Sequence, residues 1–228
     1  MKKLFSFKQF TALEWALWLI SIAVVSLSFM MMPAKDYMSL AASLIGVTAL
    51  IFVAKGMVIG QVLTVAFACI YGVISFYFRY YGEMLTYLCM TSPIAVLAAL
   101  EWHRNPYRDT AQVRVRTLDA RSVALMLALA AATTFAFYFV LRALGTAKLA
   151  LSTLSVTTSF IASYLTFLRS PYYALGYAAN DLVLIAMWVL AALEDPAYAP
   201  MIACFAMFFI NDAYGFFNWR RMSLVQAE

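Results

Sequence analysis

Polar side chains recur at helical spacing within one long apolar stretch near the end of the chain. Tyr173, Tyr177 and Asp181 follow one another at intervals of four residues. Asn180 lies three residues after Tyr177. On a helix this spacing places two phenol rings and a carboxamide on one face. Stacking area beside an amide donor and acceptor suits a flat heterocycle with a carboxamide or a ribose, so we predict a ligand-binding face here.

Other apolar stretches carry further candidates for ligand contacts. A polar group at membrane depth is costly, so it usually faces a cavity or a partner. The additional candidates are Gln61, Tyr71, Tyr87, Ser159, Asn211 and Tyr214. Ser159 belongs to a stripe of serines that can instead serve helix packing: Ser152, Ser155, Ser159 and Ser163. Asp181 and Asp212 can be structural hydrogen-bonding groups, coupling-ion sites or substrate ligands, and these alternatives stay open.

The elements that position these residues are membrane-spanning helices. Of the 228 residues, 65% are hydrophobic and only 12% are charged, far from the balance of soluble domains. Apolar runs long enough to cross a bilayer as helices occur eight times. They lie near residues 11–32, 38–54, 57–78, 82–100, 123–144, 149–168, 172–192 and 198–218. We therefore predict an all-α integral membrane protein with about eight transmembrane helices.

The positions of Lys and Arg predict the orientation, because these residues favour the cytoplasmic side. With the N-terminus inside, most of the 16 basic residues fall on that side. The cytoplasmic set is Lys2, Lys3, Lys8, Lys55, Arg104, Arg108, Arg114, Arg116, Arg121, Arg169, Arg220 and Arg221. The outer set is Lys35, Arg79, Arg142 and Lys148. Both termini are then cytoplasmic, and the net charge of +5 serves contact with the lipid bilayer rather than with nucleic acid.

A repeat is indicated within the single membrane domain, residues 1–228. The segments 38–100 and 149–218 each hold three closely coupled helices and end alike, with Trp102-His103-Arg104 and Trp219-Arg220-Arg221. A cytoplasmic linker and linker helix, 101–144, separate the segments, and 11–32 is an extra first helix. Because the linker helix restores the direction, the two repeats are parallel, in a 1+3+1+3 layout. Chance recurrence of Trp with basic residues at membrane interfaces is the alternative.

Four stretches resemble the PnuC family of bacterial vitamin transporters, which in turn resemble full-length SWEET-type proteins. They are 55–61, 78–84, 173–181 and the closing Gly215-Phe216-Phe217-Asn218-Trp219. The family's substrate motif, Trp-x-x-Trp-x-x-x-Asn on the seventh span, is matched by Asn180. Tyr173 and Gly176 occupy its two Trp positions, and Tyr177 is an aromatic residue one position later.

This resemblance implies facilitated diffusion of nicotinamide riboside across the bacterial inner membrane. It also implies trapping of the product by a cytoplasmic kinase, and a homotrimer. Family relatives with altered motifs carry thiamine, riboflavin or deoxynucleosides, so these remain alternative ligands for this chain.

Functions of other classes find little support in the sequence. An intramembrane enzyme could use Asp181 and Asp212 as a carboxylate pair, but no H-E-x-x-H or G-x-S-x-G motif accompanies them. A retinal Schiff base needs a lysine in mid-membrane, whereas all the lysines lie at predicted ends or loops. There is no G-x-x-x-x-G-K-[ST] loop for ATP. We predict a transporter that is not an enzyme and needs no metal or cofactor.

Overall fold

A computed structural model describes residues 7–32 and 36–227. Eight helices within them are long and apolar enough to cross a membrane, which confirms the predicted number and fold class. They are α1 (Ala12–Met30), α2 (Tyr37–Ala54), α3 (Val58–Tyr77), α4 (Tyr81–Arg104), α5 (Ala120–Ala143), α6 (Leu149–Phe167), α7 (Tyr173–Glu194) and α8 (Ala199–Ala227). Lys2, Lys3 and Lys35, which entered the charge count, lie outside the described residues.

Local sequence explains where several helices begin. Thr11 starts α1 with a capping box, because its side chain accepts the Glu14 N–H while Glu14 accepts the Thr11 N–H. Asp36 caps α2 and Asp119 caps α5 with a single hydrogen bond. Each side chain accepts the backbone N–H of the residue three positions later. The predicted boundaries are accurate to a few residues except at the C-terminus, where α8 continues well beyond residue 218.

Helix α4 is irregular at its centre. Its middle section, Thr86–Thr91, is π-helical and precedes Pro93. Because proline has no N–H, the regular ladder of hydrogen bonds cannot continue through this position. A π-helical turn re-aims the side chains that it carries and often accompanies functional sites. Tyr87 and Thr91 lie on this turn.

Six of the helices form a closed ring. Each of α2, α3, α4, α6, α7 and α8 packs against the next one in that order, and α8 returns to α2. Helix α1 packs outside the ring on α2 and α8, and α5 packs mainly on α6. Most of the α5 surface is exposed, so this helix contributes little to the core of the single chain.

Two tryptophans join the halves of the ring at one end. The Trp102 indole, near the end of α4, donates to the Thr166 carbonyl on α6 at 3.0 Å. The Trp219 indole, on α8, donates to the Val53 carbonyl on α2 at 2.9 Å. Their ring centroids are 5.3 Å apart. The tryptophans at the similar ends of the two three-helix segments therefore make equivalent contacts.

The same end of the bundle collects most of the described basic residues, and we name it the basic end. The loop after α4 runs across this end and forms backbone hydrogen bonds with Gly56, which follows α2, and with Arg169, which follows α6. The Gln226 side chain near the end of α8 bonds to Val113 and Val115 of that loop. The basic residues there include Lys55, Arg104, Arg108, Arg114, Arg116, Arg121, Arg169, Arg220 and Arg221.

Candidate functional site

A small cavity lies inside the ring of helices, between α2, α3, α4, α7 and α8. Its volume is about 40 Å³, far below the roughly 300–1,000 Å³ of typical ligand pockets. Its polar lining consists of Gln61, Thr64, Tyr87, Thr91, Tyr177, Asn180, Asp181 and Asp212. Its apolar lining consists of Gly46, Ala49, Leu50, Val53, Phe67 and Phe208. Binding of a nucleoside-sized ligand here requires the helices to separate.

Asn180 is held at the cavity wall by two hydroxyl groups of α6. Its carboxamide oxygen lies within hydrogen-bonding distance of the Ser155 hydroxyl, at 3.1 Å, and of the Thr158 hydroxyl, at 2.9 Å. The side chain is buried, and its amide nitrogen makes no hydrogen bond within the described residues. The oxygen is thus fixed by the protein, whereas two N–H donors remain for a ligand.

A buried glutamate supports this arrangement from α4. The Ser155 hydroxyl lies 3.0 Å from Glu83 Oε2 as well as near Asn180, and the other Glu83 oxygen has no hydrogen-bond partner within the described residues. Glu83 is completely buried. Because serine has one hydroxyl proton, it can serve only one of these two acceptors at a time.

Two carboxyl groups meet at the cavity from neighbouring helices. Asp181 on α7 is 3% exposed and Asp212 on α8 is 2% exposed. Both side chains line the same cavity. Asp181 Oδ2 has no hydrogen-bond partner within the described residues. The spacing on α7 identified Asp181, but only the packing of α7 on α8 brings Asp212 to it.

Aromatic rings cover much of the remaining wall. Phe67 contacts Tyr87 edge to face with centroids 5.7 Å apart, and it contacts Phe208 at 5.3 Å. The Tyr177 hydroxyl is 3.1 Å from Ser163 Oγ, so the α6 serine stripe also orients this phenol. Edge-to-face contacts keep the rings in defined orientations and can present their faces to a flat ligand.

Five of the ten predicted contact residues line this cavity: Gln61, Tyr87, Tyr177, Asn180 and Asp181. The structure does not bring the other five to its wall. Tyr71 accepts a hydrogen bond from the Trp188 indole at 3.1 Å and packs behind Tyr87. Tyr173 is completely buried against Trp219. Ser159 is buried in the α6 stripe without lining the cavity.

Asn211 and Tyr214 face α1 instead. The Asn211 amide donates to Ser21 Oγ at 2.9 Å. The Tyr214 hydroxyl donates to Glu14, which also forms a salt bridge of 2.9 Å with Lys55. Both charged side chains are buried. We name Glu14, Lys55 and Tyr214 the α1 charge cluster, and it attaches α1 to the ring near the basic end.

Gly176 explains one departure from the Trp-x-x-Trp-x-x-x-Asn motif. A Cβ atom at this position would lie 2.9 Å from the Cα of Ala162 on α6. The glycine therefore permits a close approach of two helices, as small residues commonly do in membranes. No large ring fits there with this packing, and the neighbouring Tyr177 supplies the aromatic contact to the cavity.

Sequence reasoning missed Glu83 as a part of the site, and it missed Phe67 and Phe208 in the wall. A signal for Glu83 was present, since it is the one charged residue in the run 82–100. The two phenylalanines carried no comparable signal, because apolar aromatic residues occur throughout the spans. No group of three or more His, Cys, Asp or Glu that could hold a metal ion occurs in the described part of the chain.

Comparison with known proteins assigns the chain to a family. Residues 36–221 match the sequence model of the family described as nicotinamide mononucleotide transporter. The chain belongs to this family. A nicotinamide riboside transporter PnuC of Neisseria mucosa is 24% identical over 91% of the chain and 81% of the relative. The protein of the same name from Haemophilus influenzae is 20% identical, over 90% and 88% respectively.

A crystal structure of the vitamin B3 transporter PnuC has the same fold. It superimposes with a TM-score of 0.84 over 96% of this chain and 95% of the other, at 22% identity. The relatives and this structure are named as transporters, so the family member described here is a multi-pass membrane transporter and not an enzyme. The hypothesis of an intramembrane enzyme that uses Asp181 and Asp212 is therefore set aside.

Proposed function

We propose that this transporter carries nicotinamide riboside into the cell by facilitated diffusion. The observation that carries the proposal is the cavity wall in which the free amide donors of Asn180 lie beside Tyr177 and Tyr87. A pyridine carboxamide presents a flat ring to the phenols and a carbonyl to the amide. The names of the two curated relatives support the same substrate.

The proposed ligand contacts centre on the cavity. Asn180, Tyr177, Tyr87 and Gln61 line it directly, and Asp181 lies at its wall beside Asp212. Tyr173, Tyr71, Ser159, Asn211 and Tyr214 keep a supporting part, because each packs one layer behind the cavity or attaches a neighbouring helix. In this proposal they orient the contact residues rather than touch the ligand.

Transport follows from relative movement of the two three-helix repeats, 38–100 and 149–218, as in a full-length SWEET-like arrangement. Contacts of α4 with α6 and of α8 with α2 join the repeats, and the Trp102 and Trp219 bonds lie on the two equivalent seams. A cavity of about 40 Å³ has to widen on one side and then on the other. Rocking of the repeats about the cavity provides both openings.

The cellular setting completes the proposal. The basic end faces the cytoplasm of a bacterium, as the excess of Lys and Arg favours, and the chain lies in the inner membrane with both termini inside. Phosphorylation by a cytoplasmic kinase then traps the product and maintains the inward gradient. The functional unit is a homotrimer, and the exposed apolar surface of α5 is available for contacts with lipid or other subunits.

The alternative is the same mechanism with another vitamin or nucleoside: thiamine, riboflavin or a deoxynucleoside. These ligands are the alternatives because Tyr173 and Gly176 replace the two Trp residues of the motif. Calorimetry on the purified protein with all four compounds tests the choice. Tight binding of nicotinamide riboside is expected, whereas binding of another compound with no response to nicotinamide riboside would overturn the substrate assignment.

Flux into protein-containing vesicles tests the mode of transport. Labelled nicotinamide riboside is expected to equilibrate across the vesicle membrane, and an imposed proton or sodium gradient is expected to leave the final level unchanged. Accumulation above the external concentration under either gradient, with the membrane potential held at zero, would show active transport instead. Vesicles that enclose a nicotinamide riboside kinase and ATP are expected to accumulate the phosphorylated product.

A further inference from the structure

The carboxyl pair at the cavity lacks a positive partner. Asp181 and Asp212 are both buried and line the same cavity from neighbouring helices, and Asp181 Oδ2 is left without a hydrogen bond within the described residues. Repulsion between two like charges that share a small cavity is strong where the surroundings have a low dielectric constant. The pair can avoid this repulsion only by holding protons or by accepting a cation.

The groups around the pair carry no compensating charge. Its titratable neighbours are Tyr173 and Tyr177 on α7, Tyr87 on α4 and Cys204 on α8. The cavity residues of α2 are apolar, and those of α3 are Gln61, Thr64 and Phe67. In the described part of the chain no Lys, Arg or His lines the cavity. A positive charge for this site therefore has to come from outside the protein.

The rest of the wall is also suited to an organic cation. Tyr177, Tyr87, Phe67 and Phe208 surround the same cavity, and the face of an aromatic ring attracts positive charge. Thr91 provides an independent sign of a polar ligand. This residue of the cavity wall is 2% exposed, and its buried hydroxyl has no hydrogen-bond partner within the described residues. A carboxyl pair inside an aromatic enclosure favours a cationic ring over a small inorganic ion.

We propose that the Asp181–Asp212 pair selects ligands whose aromatic ring carries a fixed positive charge, and disfavours neutral ligands of the same shape. This inference rests on the proposed function of the same cavity. Pyridinium and thiazolium compounds meet the requirement, since their quaternary ring nitrogen carries a positive charge at neutral pH. Nicotinamide riboside and thiamine belong to this class, whereas riboflavin and deoxynucleosides do not.

A matched pair of ligands isolates the charge. Nicotinamide riboside has a pyridinium ring, and its 1,4-dihydro form is neutral with almost the same substituents. Calorimetry on the purified protein should give at least about tenfold tighter binding of the charged form. Asp181→Asn and Asp212→Asn should each narrow this preference to about threefold or less. Glu194→Gln, which removes an exposed carboxylate on α7, should leave the preference unchanged.

The outcomes separate this inference from the substrate proposal. Equal binding of both forms by the unmodified protein, or a preference that survives both substitutions, would overturn charge selection by this pair while leaving nicotinamide riboside as the substrate. Binding of thiamine alone would overturn the substrate and leave charge selection standing. Binding of riboflavin or a deoxynucleoside alone would overturn both. If an Asn variant fails to fold, the preference of the unmodified protein still decides.

Discussion

Two groups of buried ionisable side chains lie in different parts of this bundle, and their surroundings differ sharply. In the α1 charge cluster, Glu14 forms a salt bridge with Lys55 and accepts a hydrogen bond from the Tyr214 hydroxyl. Lys55 also donates a hydrogen bond to the Gln9 carbonyl at 2.8 Å. The Asp181–Asp212 pair, by contrast, has no cation beside it in the described part of the chain. Burial alone is therefore a poor indicator of a ligand site. What distinguishes a binding group from a structural one is the set of partners that the protein leaves unfilled.

The largest effect on stability is expected where a buried salt bridge is broken. Lys55→Met leaves the Glu14 carboxylate buried without its cation, and removal of one member of such a pair costs about 3–5 kcal/mol. Thermal or denaturant unfolding in detergent measures the loss of stability.

The double substitution Glu14→Gln with Lys55→Met is the control, and it should recover part of the loss because no unpaired charge remains. A loss below about 1 kcal/mol in Lys55→Met would mean that the α1 charge cluster is not structural.

A smaller effect, on binding rather than folding, is expected at the cavity. Asn180→Ala removes two donors that the protein does not use, so nicotinamide riboside should bind about 1–3 kcal/mol more weakly. Calorimetry checks this. Asn105→Ala, in the loop at the basic end, is the matched control and should bind normally. An Asn180→Ala protein that folds well and keeps its affinity would remove Asn180 from the site.

For a substitution in the carboxyl pair, the comparison predicts an effect on protein stability of opposite sign to that of Lys55→Met. Asp212→Asn replaces one of two adjacent acids by a neutral group of the same shape, which relieves repulsion. Stability should stay the same or rise by about 1 kcal/mol, measured by the same unfolding experiment. Destabilisation as large as that of Lys55→Met would place this pair with the structural group.

The smallest effect is expected for a surface pair. Lys148 and Glu194 form a salt bridge of 3.3 Å between two exposed side chains. Such pairs contribute about 0–1 kcal/mol because solvent screens them. Glu194→Gln should therefore change the unfolding midpoint only slightly, and less so at high salt. A large loss would show that exposure is a poor guide to charge energetics in this bundle.

Much of the fold could be predicted from the sequence, because the length and apolar character of the runs determine the number of spans. The face of α7 with Tyr177 and Asn180 was likewise predictable from spacing alone. Spacing identifies a face but not the helix that it meets. Tyr214 has the same chemistry as Tyr177, yet its side of α8 packs against α1. The placement of Asp181 and Asp212 in one cavity depends on how α7 and α8 pack, so no local pattern could predict it.

The small size of the cavity affects both the affinity and the rate of ligand binding. With a volume of about 40 Å³, it admits a nucleoside only in those molecules whose helices have already separated. The apparent dissociation constant is then the intrinsic one divided by the open fraction, so a tenfold rarer open form weakens binding tenfold. Association should likewise be slower than diffusion allows. Substitutions that loosen the ring without touching its wall should speed ligand entry and tighten apparent binding together.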